Sequence, residues 1–139
     1  MLLLDLISIS LVIIILGIII TYLISINKRL NKRIEFEKNR FILYKKSLLE
    51  LDLKHTLNKN DLERLNKLAR DFFKERFNLA YTLSYFEISK LFRKEKLDER
   101  VKFCDKMAGI LYAGDKIDPI EIKDLIHILQ EIVEKYKYM

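Results

Sequence analysis

The polarity of this chain changes once, abruptly, and then settles into a rhythm. From Leu6 to Ile26, LISISLVIIILGIIITYLISI, 21 residues pass without a charge. As a helix this run is about 31 Å long, enough to cross a hydrocarbon core of roughly 30 Å. Beyond it, apolar residues recur among charged ones with a helical period. Leu30, Ile34, Phe41, Tyr44, Leu48 and Leu51 follow a 4-3 spacing with one gap at Glu37, the a/d pattern of a coiled-coil seam. Ile42, Leu49 and Leu53 form a second set that widens the apolar face in the distal part. A helix that is apolar on two sides usually packs on its own domain. No Gly or Pro lies between Gly17 and Gly109, so the apolar helix is expected to run on unbroken. It begins as a stalk and ends against a globular part; self-association through the seam is the alternative.

Four more helices follow from start signals and apolar faces. Asn60 before Asp61-Leu62-Glu63 reads as an N-cap with Glu at the third helical position. Leu62, Leu65, Leu68, Ala69, Phe72 and Phe73 then share a face, and RFNLAYTL breaks the pattern. Ser84 and Glu87 make a second capping box, whose helix carries Tyr85, Ile88, Leu91 and Phe92. A third helix starts near Asp98 and turns Val101, Cys104, Met107, Ala108 and Leu111 inward, with Gly114 placed as a left-handed C-terminal cap. Asp118-Pro119-Ile120-Glu121 is the strongest start signal, with Asp as N-cap and Pro at the first helical position. The last helix lines up Ile122, Leu125, Ile126, Leu129, Ile132 and Val133.

The expected fold class is therefore all-α. Residues 1–27 form a transmembrane anchor and residues 28–57 a basic juxtamembrane stalk helix. Residues 58–139 form a four-helix cytoplasmic domain, just large enough to bury a core of its own. Three Gly and one Pro in 139 residues fit an almost wholly helical chain.

Charge settles the orientation. The net charge is +6, and residues 28–46 alone carry eight bases against two acids, so the excess lies in one segment. Lys28, Arg29, Lys32 and Arg33 stand on the C-terminal flank of the apolar run, while MLLLD before it has no base. Basic flanks stay on the cytoplasmic side. The expectation is a single-pass protein of the cell membrane with its N-terminus outside and its C-terminal domain in the cytoplasm. A cleaved signal peptide needs a positive n-region and a shorter apolar core. The four cations would meet anionic headgroups of the bilayer, at about 1 kcal/mol each near the surface. Nucleic acid is not an expected partner: the segment lacks interleaved aromatics and a DNA-binding motif. Gly17, Thr21 and Ser25 recur every fourth residue, a face where another membrane helix could approach.

The succession FFKERFNLAYTLSYFEISKLF, then FCDKMAGILYAGDKIDPIEIKDLI, resembles a helical cytoplasmic module of unknown function. That module closes many prokaryotic single-pass and transglutaminase-like membrane proteins, small archaeal ones among them. The matching marks are Ser84 and Glu87, Tyr112-Ala113-Gly114 before a capped last helix, and the cap at Asp118, over about residues 70–133. The resemblance implies a docking role and transfers no activity.

Chemistry is sparse. His55 and His127 are the only histidines, Cys104 the only cysteine, and they make no zinc pattern. His127 lies opposite the apolar stripe of the last helix, as a solvated side chain would, and Cys104 falls on a core face. There is no HExxH, phosphate loop or Ser-His-Asp set, and the stretch Gly114 to Glu121 lacks the alternating ligands of a calcium loop. No cofactor, metal or catalytic residue is expected. The aromatics between two helices, Phe77, Tyr81 and Phe86, are the candidate docking residues, because loops normally expose polar groups. The function expected is a non-enzymatic, membrane-tethered interaction or assembly module, whose partner is an unidentified protein or another copy of the chain. The alternative is an accessory or regulatory subunit of a membrane-associated enzyme complex.

Overall fold

The computed structural model of the chain describes residues 1–95, 98–112 and 118–136. Within them lie five helices: α1 (Leu2–Asp52), α2 (Lys59–Phe77), α3 (Tyr85–Lys94), α4 (Asp98–Tyr112) and α5 (Pro119–Lys135), with no strand among the described residues. The chain divides into two compact units, Met1–Asn39 and Arg40–Met139.

The first unit is helix alone. Its 21-residue uncharged run makes α1 long and apolar enough to cross a membrane. The hydroxyls inside the run bond to their own helix: Ser10 Oγ donates to the Leu6 carbonyl at 2.9 Å and Thr21 Oγ1 to the Gly17 carbonyl at 2.7 Å. Such i−4 bonds satisfy a hydroxyl without water.

The second unit begins at Arg40 and so takes in the last turns of α1 together with α2–α5. Of the two apolar sets on distal α1, Tyr44, Leu48 and Leu51 enter the core, with Phe41 half-buried beside it. Ile42, Leu49 and Leu53 do not: they stay 51%, 51% and 68% exposed. The distal helix thus ends against the globular part as expected, but through one apolar side only, and the second set is left uncovered. The stripe of α5 is buried in full, from Ile122 to Val133, and that of α2 is buried except for half-buried Leu68. Edge-to-face rings tie the layers: Tyr44 to Phe72 at 5.6 Å, Phe73 to Phe92 at 5.4 Å and Phe73 to Phe103 at 5.9 Å. Such pairs add about 0.5–1.5 kcal/mol each beyond burial.

Two local readings shift. The cap of α2 is Asn58, not Asn60: the Asp61 N–H donates to Asn58 Oδ1 at 3.1 Å and the Asn58 N–H donates back to Asp61 Oδ2 at 3.0 Å. Starting there lets Asp61 reciprocate and also accept from Lys54 Nζ at 2.6 Å. On α3, Leu91 is exposed and Ser89 is buried in its place, donating to Asp105 Oδ1 at 2.6 Å. The caps at Ser84 and Asp118 stand where expected, accepting from the N–H groups of Glu87 (3.3 Å) and Ile120 (3.0 Å). The expected cap at Gly114 lies outside the described residues.

Asp61 makes stability depend on pH. The bond from Lys54, and after it the Asn58 N–H, holds its carboxyl below the ordinary carboxylate range. A lowered folded pKa contributes stability above the unfolded value, near 3.9, which is lost as pH falls through the folded one. Asp61→Asn is expected to cost about 1–3 kcal/mol at neutral pH. The gap to the parent should narrow as pH falls below the ordinary carboxylate range and close once the folded carboxyl is protonated, as urea melts across pH would read. A constant gap would assign the loss to packing instead.

Candidate functional site

In the first unit, every side chain from Met1 to Ser25 is exposed. Gly17, Thr21 and Ser25 lie along one helix face, and a Cβ added at Gly17 would meet nothing within 4 Å. Lys28, Arg29, Lys32 and Arg33 are exposed too, as two i,i+4 pairs on adjoining strips. Arg33 Nε reaches Glu37 Oε1 at 3.6 Å, a solvated pair of little energetic weight.

In the second unit, the three candidate docking aromatics differ in exposure. Phe77 is the last residue of α2 and turns into the aromatic core, its ring 5.4 Å from Phe92 and 5.2 Å from Tyr136. Tyr81 and Phe86 are 43% and 57% exposed. Phe86 stacks on Tyr112 of α4, itself 56% exposed, with ring centroids 5.6 Å apart and planes 14° from parallel. That open pair joins two helices and is invisible to sequence spacing, since 26 residues separate its members. The loop that precedes it is held from within: Asn78 takes the left-handed conformation that ends α2, and Arg70 Nη1 donates to the carbonyls of Tyr81 (3.0 Å) and Leu83 (2.7 Å).

A groove of about 740 Å³ opens between the end of α1 and α5. Leu48, Leu49 and Val133 give its apolar lining, and Lys45, Glu131 and Glu134 stand around it. Lys45 Nζ lies 3.7 Å from Glu134 Oε2. His127, at this groove, is exposed yet partnered: its Nε2 sits 2.8 Å from Asp52 Oδ1. Lys123 Nζ lies 3.4 Å from the same carboxylate oxygen and donates to the Asp52 main-chain carbonyl. Lys123 thereby satisfies an orphan carbonyl at the end of α1 and fastens it to α5.

The residue that sequence reasoning missed is Arg100. It opens α4 inside a charged run and reads as solvated, but it is 2% exposed. Its guanidinium carbon lies 4.2 Å, 4.3 Å and 4.7 Å from the ring centroids of Phe77, Phe92 and Tyr136. Nη2 donates to Glu95 Oε2 at 3.2 Å, while Nε and Nη1 find no acceptor among the described residues. Burial lowers its pKa. Cys104 is buried, and desolvation pushes its thiol up to about 12, far from a reactive thiolate. Among the described residues no group of three or more His, Cys, Asp or Glu side chains could hold a metal. No family model, no curated protein and no solved structure matches the chain.

Proposed function

We propose that the chain is a non-enzymatic, membrane-tethered interaction module. In this reading α1 crosses the membrane through residues 6–26 with its N-terminus outside, Lys28, Arg29, Lys32 and Arg33 lie at the anionic cytoplasmic surface, and the unit from Arg40 is a docking domain on that side. The observation that carries it is the uncharged 21-residue run of α1, no residue of which is buried. Large contiguous apolar surfaces on a chain in water mark contact with membrane or protein. Its length matches a bilayer core, and its basic residues flank one end only. The open Phe86–Tyr112 pair and the groove beside α5 give the domain surfaces on which to dock.

Thiol labelling in intact cells tests the topology. Leu3→Cys is expected to react with a membrane-impermeant maleimide. Lys135→Cys, on an exposed position, should react only after permeabilisation. Cys104 is too buried to report on either side and serves as a silent background. Replacing Lys28, Arg29, Lys32 and Arg33 by Gln together should yield molecules labelled at both positions. Labelling of Lys135→Cys in intact cells would overturn the orientation, and loss of the chain from washed membranes would overturn the tether.

A further inference from the structure

We infer that the face of the second unit formed by distal α1 and α5 is a two-fold interface between copies of this chain. Ile42, Leu49 and Leu53 recur at i, i+7 and i+11, on one side of the helix, and all three remain exposed after the core has formed. Leu49 belongs at once to this ridge and to the lining of the groove of about 740 Å³. Ridge and groove thus adjoin on one surface. A two-fold contact requires a patch that complements itself, and a ridge beside a groove does so when one copy's ridge enters the other's groove.

The charges favour the same occupant. On the α1 side stand Lys45 and Lys46; on the α5 side stand Glu131 and Glu134, with Lys135, which also lines the groove, 3.8 Å from Glu99 Oε2. A two-fold rotation that sets α1 of one copy against α5 of the other brings lysines onto glutamates in both directions. Lys46 and Glu131 have no ion-pair partner among the described residues. The existing Lys45–Glu134 contact is exposed and weak enough to exchange between copies. A strongly acidic or strongly basic partner would meet like charge on one side or the other.

The surface is small. Three side chains half to two-thirds exposed, with the groove, offer less than the ~800 Å² per partner of a stable complex in solution. The interface therefore rests on the tether proposed above, which confines copies to one membrane in one orientation and raises their effective concentration, to about the millimolar range for short linkages. The dimer belongs to the membrane-bound chain.

Cysteine cross-linking of the full chain in isolated, carbonate-washed membranes tests this, with copper phenanthroline and dissolved oxygen as oxidant. Leu49→Cys is expected to form a disulfide-linked dimer roughly tenfold faster than Leu43→Cys, because a disulfide needs Cα atoms about 4.4–6.8 Å apart. Leu43 is equally exposed but lies about 100° round the helix from Ile42. Adding Leu49→Glu to Leu53→Cys should cut cross-linking about as much while leaving the melting temperature unchanged, since Leu49 is outside the core. Equal rates at 49 and 43 in a membrane-integrated chain overturn the interface, as does a Leu49→Cys adduct with a different protein. Cross-linking at Leu30 or Ile34 but not at 49 overturns it in favour of the stalk seam. A chain washed off the membranes refutes the tether itself, and the dimer with it.

Discussion

A chain starting at residue 58 is expected to lose cooperative melting, whereas one starting at Arg40 keeps it. Tyr44, Leu48 and Leu51 are 5%, 1% and 0% exposed, packed with the helices that follow. At roughly 1.5–3 kcal/mol for each large apolar side chain fully buried, the three contribute about 5–9 kcal/mol. That equals much of the ~5–15 kcal/mol by which a whole domain is stable. The shorter chain also loses Lys54 and so leaves the buried Asp61 carboxylate without its cation, and it loses the Arg40–Glu75 pair. Circular dichroism melts of both fragments would decide. The single substitution Leu51→Ala in the longer fragment should cost about 2–5 kcal/mol. Equal, sharp melting of both fragments would show that the end of α1 rests on the domain without supporting it.

Arg100 should respond to two substitutions with opposite signs. Removing an ion from water costs several kcal/mol, and the two donor nitrogens, Nε and Nη1, that find no acceptor among the described residues add about 1–3 kcal/mol each. Against this stand one pair to an exposed Glu95 and three ring faces, each worth up to about 2 kcal/mol when desolvated. The rings share one guanidinium, so their gains do not simply add, and the balance falls against the charge. Arg100→Met keeps the stem contacts and removes the charge, and it should leave stability unchanged or raise it by up to about 3 kcal/mol. Arg100→Ala keeps neither and opens a cavity among Phe77, Phe92 and Tyr136, at a cost of about 2–4 kcal/mol. Chemical denaturation of the three proteins reads both. A loss above about 2 kcal/mol in Arg100→Met would mean that the rings hold the cation more strongly than water does.

What the sequence determined by itself is everything governed by near neighbours. The uncharged run from Leu6 to Ile26, the caps at Ser84 and Asp118, the stripe of α5 and the burial of Cys104 each follow from residues within a turn or two, and each was legible. The cap of α2 slipped by two residues because Asn58 and Asn60 offer the same amide; the reciprocal bond of Asp61, buried under Lys54, selects Asn58. Only the tertiary structure decided between equal periods. Tyr44-Leu48-Leu51 and Ile42-Leu49-Leu53 are both apolar strips at helical spacing, and nothing along the chain says which side α2 and α5 will cover. The same holds for the separation of Phe77 from Phe86, the meeting of Phe86 with Tyr112, and the bond of His127 to Asp52 across 75 residues. Arg100 is the extreme case: a guanidinium signals solvent in any local reading, and three rings brought together from α2, α3 and the residue after α5 are what bury it. Periodicity records that a face is apolar. Which face meets which depends on contacts between residues far apart in the chain, and these exist only once the helices have packed.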